Sequence, residues 1–186
     1  MNSKTKWNRK YHERINVLKE PVPNPRLRNL SSYLMGGQAL DLACGLGGNS
    51  LFLAEMKYEV KAIDISEVAI TYIKTLATNN KLNIHPSVSD LTSGDKYHWG
   101  DNIFDLVIIT YYLDRSLFPI VKTIIKKLGY FFMETFYQSP QNDNQGVSNQ
   151  YKLHSQELLT EFDDWTILFF EENEQEGRQT IFCQKR

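Results

Sequence analysis

An acid, a glycine turn and a second acid occur here at a spacing that can hold one ligand. Ala39-Leu40-Asp41-Leu42-Ala43-Cys44-Gly45-Leu46-Gly47-Gly48-Asn49-Ser50 reads as a buried strand entering a glycine turn and then a helix. Glycine at 45 and 47 lets the backbone take positive φ and lets a ligand approach the main chain closely. Asp64 closes a second apolar strand nineteen residues after Gly45, near the spacing of about 20 at which an acid reaches ribose hydroxyls. Asp90, in Val88-Ser89-Asp90-Leu91, ends a third strand and could accept from an adenine amino group. Three strand ends thus offer three acids to one nucleoside.

Two ligand classes share this geometry. A dinucleotide fingerprint wants a third glycine where Ser50 stands and a helix start bare for pyrophosphate, which Asp41 would repel. The same carboxylate suits a ligand carrying an α-amino group and a sulfonium, because both are cationic and attraction is strong where water is excluded. The site therefore reads as one for S-adenosylmethionine, with Asp41, Cys44, Gly45, Gly47, Asn49, Asp64, Ile65, Asp90, Leu91 and Thr110 as its binding residues. Capping and turn formation are ordinary duties of Asp, and for Asp90 taken alone that reading stands beside the ligand one.

In open α/β sheets, ligands lie beyond the carboxyl ends of the strands. The fourth strand ends in Thr110-Tyr111-Tyr112-Leu113-Asp114-Arg115, Phe136 and Tyr137 follow the fifth, and Arg178 lies in the last hairpin. Tyr111, Arg115 and Arg178 are the candidate catalytic residues, the arginines because a planar fork holds an anionic acceptor well. Packing competes for either tyrosine, and Arg115 could instead pair with Asp114 or Glu134. Methyl transfer from a sulfonium is an in-line displacement that needs alignment and no metal, and a general base only where the nucleophile must lose a proton. No Asn-Pro-Pro-Tyr, Asp-Pro-Pro-Tyr or Pro-Cys follows the fourth strand, which disfavours methylation of nucleic-acid bases. With little chain beyond the core sheet for a recognition domain, a small-molecule acceptor is expected.

Holding these residues calls for short apolar strands alternating with helices, the pattern of a parallel sheet with crossovers. Strands are expected at Gln38 to Leu42, Glu59 to Asp64, Ile84 to Ser89, Phe104 to Thr110, Tyr130 to Thr135, Trp165 to Glu171 and Gln179 to Gln184. The last two are joined too closely for a helical crossover, so the final strand should be reversed. Trp7, Tyr11, Ile15 and Leu18 mark an amphipathic N-terminal helix, Pro21, Pro23 and Pro25 an extended connector, and Arg26 to Leu34 a resumed helix. Ser66 should cap a helix ending at Asn79-Asn80, a second should run from Leu117 to Leu128, and a short one should start at Ser155. Residues 138–152, polar and rich in Gln and Asn, read as a long loop of the kind that serves as a lid.

The fold class expected is α/β: a Rossmann-like, seven-stranded, mostly parallel sheet with an antiparallel C-terminal strand and helices on both faces. At 186 residues the chain fits one domain, residues 1–35 forming an N-terminal helical cap segment and 38–186 the core. Two cysteines, Cys44 and Cys183, and four scattered histidines, His12, His85, His98 and His154, give neither a disulfide framework nor a metal-ligand spacing. The basic start lacks the apolar run of a secretory signal and no stretch reaches membrane-spanning length, so a cytoplasmic protein without membrane contact is expected. Residues 1–30 hold eight Lys/Arg against two Glu, which reads as a solvated face rather than a nucleic-acid surface, since no aromatic run interleaves them. Monomer and homodimer both remain open.

At Ala39-Leu40-Asp41-Leu42-Ala43-Cys44-Gly45, Asn49-Ser50-Leu51, Val60-Lys61-Ala62-Ile63-Asp64 and Phe104-Asp105-Leu106-Val107 the chain resembles class I S-adenosylmethionine-dependent methyltransferases. The closest resemblance is to small bacterial tellurite-resistance-type methyltransferases, from about Trp7 to the C-terminus. It implies a seven-stranded sheet with an antiparallel last strand, and a soft sulfur, selenium or tellurium nucleophile as acceptor, a thiol or a chalcogen oxyanion. Relatives commonly carry an acid and an arginine where this chain has Leu46 and Gly48, and a Pro-Gly-Gly turn where it has Lys127-Leu128-Gly129-Tyr130. A regulator that binds S-adenosylmethionine without turnover, and a dinucleotide-dependent oxidoreductase, are the competing readings.

Overall fold

The computed structural model describes residues 2–17, 20–93, 99–141 and 146–186. Leu18 of the N-terminal stripe, His98, and residues 142–145 of the polar loop lie outside them. Two compact units divide the chain, Met1–His98 and Trp99–Arg186. Among the described residues, the first unit holds three strands and the second four, seven in all.

In the first unit, β1 (Gly37–Leu42) pairs parallel with β2 (Tyr58–Asp64), and β2 with β3 (Ile84–Val88). Parallel neighbours need crossovers, which α3 (Gly48–Glu55) and α4 (Glu67–Asn79) supply. Leu40, Leu42, Val60 and Ala62 are fully buried, as strands covered on both faces require. Ser66 caps α4 by accepting from Ala69 N, as the sequence predicts, and Ala69, Ile70, Ile73 and Ala77 form its buried stripe. Ahead of this core lies α1 (Ser3–Ile15), which packs on α4 and buries Tyr11. The resumed helix expected from Arg26 to Leu34 is shorter. Asn24 Oδ1 accepts from Arg26 N and Leu27 N, starting α2 (Pro25–Asn29) with proline in its first turn, and a 3₁₀ turn (Ser31–Tyr33) follows.

In the second unit, β4 (Phe104–Thr110) pairs parallel with β5 (Ile125–Phe136). β7 (Arg178–Gln184) runs antiparallel to β5 and to β6 (Thr166–Asn173), and is the reversed strand the close connection predicts. The helix expected to reach Leu128 does not. α5 (Leu117–Ile124) stops because Ile125 turns extended and pairs with Phe104, and Lys126 Nζ reaches both Asp105 carboxylate oxygens at 2.8 and 2.9 Å. Pairing with a neighbouring strand thus outweighs helical periodicity over Ile125 to Leu128, and the left-handed Leu128 (φ 65°) accommodates the register shift. The short helix α6 (Glu157–Glu161) starts two residues later than expected, since the Ser155 hydroxyl donates to Glu172 and Gln156 is left-handed. Among the described residues, no helix is long and apolar enough to cross a membrane.

Candidate functional site

The β1–α3 turn is built from alternating left-handed residues, Ala43 (φ 56°), Gly45 (φ 56°) and Gly47 (φ 82°). Two of the three are glycines, for which that conformation carries no steric cost. Asp41 lies beneath the turn, fully buried. Its Oδ2 accepts from the Ser50 hydroxyl at 2.6 Å, while Oδ1 has no hydrogen-bond partner among the described residues. Burial, opposed by the Ser50 hydroxyl and reinforced by the Asp64 charge, pushes the Asp41 carboxyl up to about 7. Asp64 closes β2 and braces the turn: Oδ2 accepts from Gly45 N and Oδ1 from Ser66 N, both at 2.9 Å. Burial raises its pKa against those two N–H donors. Each carboxylate oxygen has a second lone pair, so Asp64 can hold the turn and still accept from a ligand hydroxyl. Burial, then the charges of Asp41 and Asp64, keeps the Cys44 thiol protonated.

Two elements that the sequence does not tie to the glycine turn close over it. The Tyr11 hydroxyl stands 3.1 Å from where a Cβ on Gly45 would project, and Trp7 stacks on the Tyr11 ring. Burial, with Asp64 next, holds that phenol protonated, so Tyr11 is a hydrogen-bond donor beside the turn. The Ser66 hydroxyl donates to Asn8 Oδ1 at 2.7 Å, fastening α1 to the start of α4. The proline connector crosses Gly48 so closely that a Cβ there would meet the Val22 carbonyl oxygen at 2.2 Å. Asn49, expected at the ligand, accepts from Asn24 N at 2.8 Å and so anchors this connector.

The remaining first-unit residues fall beside the turn or at the strand ends. Ile65 follows β2, half-buried, and Leu91 is buried after β3. Asp90 is exposed and accepts from Thr92 N and the Thr92 hydroxyl, the turn role set beside its ligand role above.

In the second unit, Thr110 ends β4 opposite Glu134 of β5. The next residue, Tyr111, has φ 58°, uncommon outside glycine, and its hydroxyl donates to Glu134 Oε1 at 3.0 Å. Glu134 is buried at 1% exposure, and its Oε2 accepts from the Thr180 hydroxyl at 2.9 Å. Arg178 opens β7 opposite Phe136, its guanidinium carbon 3.7 Å above the Phe136 ring centre and 5.3 Å from that of Tyr111. Tyr111 and Arg178 therefore come together. Arg115 pairs with neither Asp114 nor Glu134: its fork donates to both Glu157 oxygens, at 2.6 and 2.9 Å, and to the Lys152 carbonyl. That pair raises the Arg115 pKa. Against its own desolvation, it also holds the Glu157 carboxyl below the usual range. Sequence reasoning weighed Glu134 only as a partner for Arg115, although a carboxylate within Tyr130-Phe131-Phe132-Met133-Glu134 is itself a signal.

A glycine turn braced by two buried acids at parallel strand ends, with a reversed strand between β5 and β6, defines a Rossmann-like methyltransferase fold. Over residues 11–182 the chain matches the family described as "Tellurite resistance protein TehB", and it belongs to that family. A curated relative from Haemophilus influenzae, described as a probable S-adenosyl-L-methionine-dependent methyltransferase TehB, is 25% identical over 146 residues, covering 77% of this chain and 51% of its own. The chain thus spans about half the length of the curated relatives it matches. The crystal structure of TehB from Haemophilus influenzae superposes with a TM-score of 0.78 at 19% identity, over 97% of this chain and 67% of that one. A SAM-dependent methyltransferase from Aquifex aeolicus shares the fold over the whole of both chains, with a TM-score of 0.68 at 15% identity.

Proposed function

We propose that this chain acts as a single methyltransferase domain that uses S-adenosylmethionine to methylate a small-molecule acceptor, a thiol or a chalcogen oxyanion, in the cytoplasm. The observation that carries the reading is the Asp41 oxygen, fully buried beneath a glycine turn and without a hydrogen-bond partner among the described residues. A buried, unpaired carboxylate oxygen is costly, and a cationic ligand removes that cost. The residues present fit S-adenosylmethionine. Asp41 would face its cationic end, Asp64 its ribose hydroxyls, and the backbone at Gly45 and Gly47 would allow close approach, with Cys44, Asn49, Ile65, Asp90, Leu91 and Thr110 around them. Bound there, it supplies an electrophilic methyl group on a sulfonium. The protein's share is to align an acceptor and exclude water, with Tyr111, Arg115 and Arg178 as the residues expected at the acceptor. The Arg115–Glu157 pair favours a supporting role for Arg115, which ties the end of the 138–152 loop through the Lys152 carbonyl.

Calorimetry against S-adenosylmethionine, S-adenosylhomocysteine and NAD tests the donor half. Tight NAD binding with no response to S-adenosylmethionine would overturn the reading. A panel of thiols, chalcogen oxyanions, amines and carboxylates, assayed for S-adenosylhomocysteine formation, tests the acceptor half. Binding without turnover on any of them would favour a regulator.

A further inference from the structure

We infer that Tyr111 and Glu134 form a proton relay for an acceptor that arrives protonated, a neutral thiol, with Tyr111 touching the acceptor and Glu134 positioning the phenol and receiving its proton. The inference rests on the methyltransferase reading above and selects the thiol from the two acceptor classes proposed there.

The pair is joined twice: Tyr111 N donates to the Glu134 carbonyl at 2.8 Å, and the Tyr111 hydroxyl to Glu134 Oε1 at 3.0 Å. One end is sealed and the other open, for Glu134 is 1% exposed and Tyr111 49%. The Thr180 hydroxyl, donating to Oε2, fixes the carboxylate plane from the neighbouring β7. Tyr111 holds this place with a left-handed backbone, a conformation that persists outside glycine where the surroundings impose it, and such residues cluster at functional sites. The direction of the hydrogen bond decides the chemistry. Because the phenol proton points at Glu134, the oxygen can accept on its other side, and it suits an S–H donor better than an oxyanion, which would compete for that proton. The Arg178 guanidinium lies over the Phe136 ring and beside that of Tyr111, so negative charge developing on the acceptor forms near a cation.

In the relay, the S–H bond breaks with its electron pair left on sulfur. The proton passes to the Tyr111 oxygen as the phenol O–H proton passes to Glu134 Oε1, and the thiolate is then the nucleophile. Release of the Glu134 proton to solvent through Tyr111 resets the pair, so each turnover yields one proton.

Tyr111→Phe and Glu134→Gln test this in the full chain with two acceptors, 2-mercaptoethanol, protonated at neutral pH, and 4-nitrothiophenol, already a thiolate. In each variant kcat for 2-mercaptoethanol is expected to fall more than kcat for 4-nitrothiophenol, by a further factor on the order of a hundred. Affinity for S-adenosylhomocysteine, read by calorimetry, should hold in both variants. Equal slowing with both thiols, or lost affinity, would mean that the pair only shapes the pocket, and would overturn the relay while leaving the methyltransferase reading intact. Wild-type protein that methylates selenite or tellurite but neither thiol also overturns the relay. Protein that binds no S-adenosylmethionine overturns the function itself.

Discussion

Asp41 and Asp64 are both buried, yet their oxygens are used differently, and their substitutions should differ accordingly. Both Asp64 oxygens hold backbone N–H groups, so Asp64→Ala leaves Gly45 N and Ser66 N without their acceptor as well as removing the proposed ligand contact. Loss of charge-assisted hydrogen bonds is expected to weaken S-adenosylmethionine binding by about 1.5 to 3 kcal/mol, measured by calorimetry. Asp64→Asn keeps one acceptor and should retain more of the stability than of the affinity. Asp41 leaves one oxygen unpaired, and its carboxyl sits at about 7. From the ordinary carboxylate range up to about 7, the ligand-free protein carries a proton there that a cationic ligand expels. Affinity should therefore rise with pH up to about 7 and level off above it. Asp41→Asn should flatten that rise and weaken binding, and calorimetry in buffers of different ionisation enthalpy reads the released proton.

At the scale of elements, the glycine turn is held from outside as well as from within. No side chain fits at Gly48, because the connector's Val22 carbonyl occupies its Cβ direction. In the second unit, α6 is held by its aromatic end. Phe162, fully buried, lies 4.8 Å from the Phe131 ring centre, 5.9 Å from Phe118 and 5.4 Å from Trp165. Phe162→Ala should destabilise the protein by about 3 to 5 kcal/mol, seen as a lower urea midpoint, because the three rings around it cannot close the cavity by small shifts. A loss below about 1 kcal/mol would show that α6 collapses into the gap.

Across the whole molecule, the two raised carboxyls set the sign of a pH dependence. A carboxyl raised in the folded state favours folding most below its unfolded pKa, and that contribution is lost as pH rises through the folded value. Without ligand, stability from Asp41 should thus fall between about pH 4 and about 7, with Asp64 contributing in the same direction, and Asp41→Asn should reduce the slope in urea unfolding measured across that range. Much of the architecture was legible in residue order alone. Buried parallel strands are continuous apolar runs, glycines and acids punctuate their ends, and Ser66 and Asn80 mark a helix within a few positions, so local chemistry located β1 to β4, α4 and the glycine turn. The same local reading carried α5 too far, because Ile125 to Leu128 keep a helical period and only the partner strand pulls them extended. Contacts between residues far apart in sequence were beyond it. Tyr11 on Gly45, Val22 over Gly48, Tyr111 on Glu134 and Arg115 on Glu157 each join segments whose separate patterns say only "helix face", "connector" or "strand end". The sequence by itself determined the glycine turn and the two acids beside it, since their chemistry lies within one strand, one turn and the end of the next strand. Tertiary structure alone decided the tyrosine–glutamate pair and the coverings of the turn, since these arise from which elements pack together.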